Sequence, residues 1–218
     1  MAWTMITATA QTAQQWRDSL STLHQQIEHL PGSTDLRLRK AAVNIELGQW
    51  QYAIDEYGRV LDIDRDNMAA LYFRAYCHLH LRHYAQARAD YDRFLKLSPL
   101  HMEARMGLAM VCQKMGRVND AADEYNQLVE MFPDSAVCYA ARAAFETAQE
   151  QYDLALYDWD EAISRNAGSA EYVVTKIELL MRLERYVEAL SEIEKALHRG
   201  VPRGVLKEWQ DKCRKATR

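Results

Sequence analysis

The sequence predicts an all-α protein, a solenoid of five helix–turn–helix repeats between N- and C-terminal capping segments. Three observations carry that expectation. The 218 residues include only eight glycines and four prolines, too few for the many turns of a β-sandwich. Alanines recur at a fixed interval of 34, at Ala53, Ala87, Ala121, Ala155 and Ala189. Other columns keep the same phase: Ala41, Ala75, Ala109, Ala143 and Ile177; Trp50, Tyr84, Val118, Tyr152 and Tyr186; Tyr57, Tyr91, Tyr125, Trp159 and Ile193; Val60, Phe94, Leu128, Ala162 and Ala196. Five copies without an insertion or deletion mark a repeat array, in which each unit buries its apolar face on its neighbours.

The elements follow in order. Residues 1–33 read as a degenerate repeat acting as a cap, since Trp16 lies 34 before Trp50 and Pro31 lies 68 before Pro99. Its second helix puts Leu20, Leu23, Ile27 and Leu30 on one face. The five repeats then occupy 34–67, 68–101, 102–135, 136–169 and 170–203. Each unit reads as two helices, for example about 69–81 and 85–97. Gly48 and Gly116 fall in the turn between paired helices, where a left-handed residue is easiest without a Cβ. Pro99 and Pro133 close second helices, because proline cannot continue them. Residues 204–218 form a capping helix with Val205, Leu206, Trp209 and Cys213 on one side. From Arg199 onward seven basic residues face two acidic ones, a basic end on an otherwise acidic chain of net charge −4.

One further column is charged. The acids Glu56, Asp90, Glu124, Asp158 and Glu192 precede the aromatic position, and sixteen residues earlier stand Lys40, Arg74, Leu108, Arg142 and Lys176. In a helical hairpin that separation brings the two groups level. It predicts structural pairs Lys40–Glu56, Arg74–Asp90, Arg142–Asp158 and Lys176–Glu192, which add specificity more reliably than stability. Glu124 needs a different partner, because Leu108 carries no charge.

Signals for chemistry are weak. The near-neutral charge argues against a nucleic-acid partner, which would require a basic surface to neutralise phosphates. No run of 18 apolar residues exists to span a membrane. Asp62, Asp64 and Asp66 imitate a calcium loop, yet Asn67 and Phe73 stand where its glycine and bidentate glutamate belong. Of the histidines at 78, 80 and 83, only His80 and His83 approach one helical face, and no third ligand follows at a suitable spacing. Cys77, Cys112, Cys138 and Cys213 form no C-x-x-C pair and read as small buried apolar residues. No phosphate-binding glycine loop or nucleophile elbow appears. The expectation is a protein without metal, cofactor or intrinsic enzyme activity.

At these columns the chain resembles the tetratricopeptide-repeat family, whose period is 34. The stretch ALYFRAYCHLHLRHYAQARADYDRFLKLSP carries the match, and the resemblance covers 34–203. Ala167 and Val201 depart from it where proline is usual, and Ile177 departs where alanine is. The resemblance implies a right-handed superhelix whose first helices line a concave, partner-binding groove. The matching positions are Leu38 and Ala42; Tyr72, Phe73 and Tyr76; Met106, Gly107 and Met110; Ala140 and Ala144; Val174 and Glu178. Glu46, Glu103, Lys114 and Arg182 form the rim. Family members that grip chaperone C-terminal carboxylates use Lys, Asn and Arg where this chain has Leu38, Ala42, Phe73, Glu103 and Gly107, so such tails are not expected partners. The implied function is a scaffold or adaptor holding an apolar or helical peptide segment. The alternative is a self-association module that forms a homo-oligomer. Two placements stay open, cytoplasmic and exported to a periplasm. Residues 1–16 carry no charge and include a leader-like Ala8-Thr9-Ala10, but lack a basic start.

Overall fold

The structure is a computed structural model that describes the backbone of residues 2–217 and side chains from residue 13 onward. The leader reading of residues 1–10 rests on side chains outside the described residues. Twelve helices and no strand occur among the described residues: α1 (Ala2–His29), α2 (Thr34–Glu46), α3 (Trp50–Ile63), α4 (Met68–His80), α5 (Tyr84–Leu97), α6 (Met102–Lys114), α7 (Val118–Met131), α8 (Ala136–Ala148), α9 (Tyr152–Arg165), α10 (Ala170–Arg182), α11 (Tyr186–His198) and α12 (Arg203–Ala216). None of them is long and apolar enough to cross a membrane.

The chain divides into two compact units, Met1–Ala121 and Ala122–Arg218. In the first, each helix from α1 to α6 packs on the next, and α4 also meets both α2 and α6. In the second, α8 packs on α9, α9 on α10, α10 on α11, and α12 closes over α10 and α11. The alanine columns explain the intimacy of these pairs. Ala41, Ala53, Ala75, Ala87, Ala109, Ala121, Ala143, Ala155 and Ala189 are all fully buried. With only a methyl group at the crossing, the helix backbones approach closely, and the buried Tyr57, Tyr91, Tyr125 and Trp159 fill the wider spaces beside it.

Local chemistry sets the helix boundaries with the same period. The first helices of four repeats open on a side-chain cap: Ser33, Asn67, His101 and Ser169 each accept a hydrogen bond from the backbone N–H three residues on. Such a cap satisfies one of the unpaired donors at a helix start. Between paired helices, Gly48, Arg82, Gly116, Glu150 and Glu184 all adopt positive φ, between 59° and 72°. Glycine accepts that conformation freely, whereas Arg82, Glu150 and Glu184 hold it against the steric preference of a side chain.

The ends differ from the sequence expectation in two respects. α1 is one unbroken helix and not a pair, because no glycine or proline precedes Pro31 to turn the chain. Its Leu23 and Ile27 pack against Leu36 and Val43, flanked by Trp16, Leu20 and Leu47. In α12, Leu206 and Cys213 are buried as the pattern requires, but Val205 is exposed. Trp209 is half-buried, with the Lys212 ammonium 4.5 Å from its ring centroid.

The left-handed column yields a paired prediction. Gly116→Ala should lower stability by about 1 kcal/mol, the steric cost of a Cβ in this region. Glu150→Gly should raise it, by an amount reduced by the extra backbone entropy of glycine. Equilibrium urea unfolding of the two variants checks both signs.

Candidate functional site

Two sets of side chains stand out, a ladder of buried ion pairs and an apolar groove. In the ladder, Lys40 Nζ lies 2.9 Å from Glu56 Oε1. Arg74 grips Asp90 with two hydrogen bonds of 2.8 and 2.7 Å. Arg142 does the same to Asp158 at 2.6 and 2.8 Å, and Lys176 Nζ lies 3.0 Å from Glu192 Oε2. All four acids are 6% exposed or less. Burial of that degree is tolerable because each carboxylate accepts at least two charge-assisted hydrogen bonds. Glu56 also accepts from Arg37 and Arg59, and Glu192 from Arg199. Burial alone would raise the pKa of Glu56 and Glu192. The hydrogen bonds from Lys40 and Arg37, and from Arg199 and Lys176, outweigh it and hold both carboxyls below the ordinary range. Glu56 and Glu192 thus keep their charge against cationic partners already in place.

Glu146 behaves differently. It is buried on α8 beside the third of these pairs, 4.0 Å from Arg142 Nε, which is already committed to Asp158. Its Oε2 accepts no hydrogen bond among the described residues. Burial, followed by repulsion from Asp158, pushes its pKa up to about 7.

The groove lies between α4 and α6, with a volume of about 850 Å³. α4 contributes Tyr72, Tyr76, Leu79 and His80, and α6 contributes Glu103, Met106, Gly107, Met110 and Lys114. Arg82 and Tyr84 close one end. A spacing of four residues puts Tyr72 with Tyr76, and Met106 with Met110, on single helix faces. The floor is Tyr91 of α5, a residue that reads as core in the sequence and is 2% exposed. Gly107 is what admits it. A Cβ on Gly107 would stand 2.5 Å from Tyr91 Cζ and 2.7 Å from its hydroxyl oxygen. A glycine in the middle of a first helix was the available signal for that close approach.

Of the other positions matched to the groove, Phe73 faces a shallower depression with Met68, Phe94 and His101. Leu38 and Ala42 lie on α2 and line none of these recesses. On α8, Ala144 is exposed but Ala140 is buried and offers no surface. On α10, Glu178 borders a small cavity with Thr147, Trp159 and Arg182, and Val174 is half-buried.

The remaining candidates resolve into local structure. His78 and His83, and not His80 and His83, face each other, with their Nδ1 atoms 3.4 Å apart. α4 ends at His80 and Arg82 turns the chain, so helical phase no longer governs residue 83. His80 instead stacks on Trp50 at 4.2 Å. No group of three metal-ligating side chains occurs among the described residues. Asp64 accepts from Asn67, and Asp66 pairs with Arg93. The four cysteines are buried, and burial pushes the Cys77 thiol up to about 12.

Comparison with known proteins follows from this geometry. Residues 78–136 match the tetratricopeptide-repeat family model. The chain is 27% identical over 171 residues to DnaJ protein P58IPK homolog B of Oryza sativa subsp. japonica, covering 77% of the chain and 32% of that protein. It is 28% identical over 141 residues to the peptidyl-prolyl cis-trans isomerase FKBP4 of Homo sapiens, covering 64% of the chain and 30% of that protein. The chain thus spans about a third of the length of these two relatives. Among solved structures, a tetratricopeptide repeat protein from Parabacteroides merdae superposes with a TM-score of 0.67 at 20% identity, over 93% of this chain and 79% of that one. YrrB, described as a tetratricopeptide-repeat protein with an unusual peptide-binding site, gives 0.60 at 15% identity, over 87% and 97%. These structural matches give the solenoid fold of the repeat family.

Two outcomes are expected from the site geometry. An acid whose pKa rises on folding from 4.5 to about 7 binds its proton more tightly in the native state, so stability falls as pH rises through that window. Glu146→Gln should therefore match the parent near pH 4 and exceed its melting temperature at pH 8. Gly107→Ala must displace the Tyr91 ring and should cost about 1–3 kcal/mol by overpacking, read from chemical denaturation.

Proposed function

The chain is a tetratricopeptide-repeat protein, and on that premise we propose that it is a non-catalytic scaffold holding an apolar helical segment of a protein partner in the α4–α6 groove. The observation that carries this reading is the groove lining. Tyr72, Tyr76, Met106 and Met110 present aromatic and thioether surface around a recess of about 850 Å³. A helix with apolar residues at intervals of three and four can lay one face into such a recess. Methionine suits the task because its unbranched chain repacks around varied shapes. The acids that would otherwise attract a catalytic reading are engaged by arginine and lysine.

A free C-terminal carboxylate is a poor fit as the ligand. Leu38, Ala42, Phe73 and Gly107 offer no donors at the positions where a carboxylate clamp would need them, and Glu103 would repel the anion.

The test is the double variant Tyr72→Ala/Tyr76→Ala, used as bait beside the parent in pull-downs from the native organism. Loss of a partner that the parent retains is the expected result. Because both tyrosines also touch Tyr91, Phe94 or Trp50, Met110→Glu on the exposed wall serves as a second variant that spares the core. Undiminished capture by both folded variants would rule the groove out.

A further inference from the structure

The groove has a direction. At one end, beside the start of α6, stands Glu103, whose nearest basic group is the His101 ring at 3.4 Å. At the other end stand Lys114, in the last turn of α6, and Arg82. Tyr72, Tyr76, Met106 and Met110 occupy the span between. Glu103 and Lys114 are eleven residues apart, or about 16 Å along the helix. Eleven residues also make three turns within about 20° of a full rotation, so both charges border the same face. The two basic side chains carry full charges, which exceed the half-unit negative ends of the helices beneath them.

We propose that the groove selects a partner helix of about three turns running antiparallel to α6, with an acidic residue in its first turn and a basic residue about eleven positions later. This deepens the function proposed above and rests on it. In that orientation the acid meets Lys114 and Arg82, the base meets Glu103, and the apolar residues between face the tyrosines and methionines. Turned end for end, the same helix sets like charges against each other at both ends. The required order is also the one a helix favours on its own, with acid near its N-terminus and base near its C-terminus. The ligand need not be distorted to comply. Specificity then comes largely from repulsion of the wrong orientation, the apolar contacts being nearly indifferent to direction.

Two fluorescein-labelled 16-residue helical peptides of equal net charge test this, with capped ends to remove terminal charge. Both carry leucines at positions 5, 8 and 12. One has Glu at position 2 and Lys at position 13, and the other has Gln at both. Anisotropy titrations against the full chain should favour the first peptide about tenfold, a preference that shrinks in high salt. Since the two peptides differ in helicity, the decisive comparison is with the variant Glu103→Gln/Lys114→Gln, which should erase most of the preference while still binding both. The single variant Glu103→Lys, basic at both ends of the groove, should lose most of it too, provided circular dichroism shows α-helix intact.

Equal binding of both peptides to the parent would overturn the charge order and leave the groove reading standing. A preference unchanged in the neutralised variant would overturn it too, by placing the discrimination elsewhere. Binding of neither peptide would sink the proposal, and the tyrosine and methionine variants then decide separately on the groove itself. Concentration-dependent dimers in light scattering that the neutralised variant abolishes would show a second copy as the occupant and overturn the proposal.

Discussion

Close approach of paired helices at a buried alanine is the constraint on which the rest of this molecule depends. Nine alanines of the two repeated columns are completely buried, and a methyl group at a crossing lets two helix backbones come together as no larger side chain would. Everything else is placed by that contact. It brings the acid before each aromatic position level with a base on the partner helix, and it defines the gap that Tyr57, Tyr91, Tyr125 and Trp159 fill. Because the interval never slips, a solution found once serves again thirty-four residues later.

The ion pairs are best understood as register devices. A carboxylate such as Asp158, almost fully buried, would be costly without the bidentate Arg142, and a hairpin shifted by one residue would lose that partner. The cost shows where the arrangement is imperfect. Glu146 shares the same arginine at a longer distance and keeps an oxygen without a hydrogen-bond partner. Burial, and then the neighbouring Asp158 charge, raise its pKa to about 7. The same logic separates the buried, paired acids from exposed ones such as Glu103 at the groove end.

The proposed function rests on a local exception to the repeat. Position 107 is glycine, and that single missing Cβ lets Tyr91 come forward to floor a recess walled by Tyr72, Tyr76, Met106 and Met110. A Cβ there would collide with the Tyr91 ring. Charges of opposite sign at its two ends turn an apolar slot into a directional one. A site thus emerges where one repeat departs from the others, while their agreement maintains the frame.

Much of this was legible in the residues alone. The 34-residue interval determines helix number, pairing and the placement of small and aromatic residues, because each is a local rule applied with one period. The four ion pairs follow from the same arithmetic, sixteen residues being a fixed step across a hairpin. What tertiary structure alone decided lies where helical phase breaks or two elements meet. His78 and not His80 faces His83 because Arg82 turns the chain between them. Ala140 is buried and Ala144 exposed, although both fit the groove pattern. The start of the chain is a single helix and not a pair, since a weak column match says nothing about where the chain turns. Tyr91 becomes a groove floor, which depends on the exact neighbour across the helix pair. Periodicity specifies which face of a helix points inward; only the packed partner determines how deep a given side chain on that face will sit.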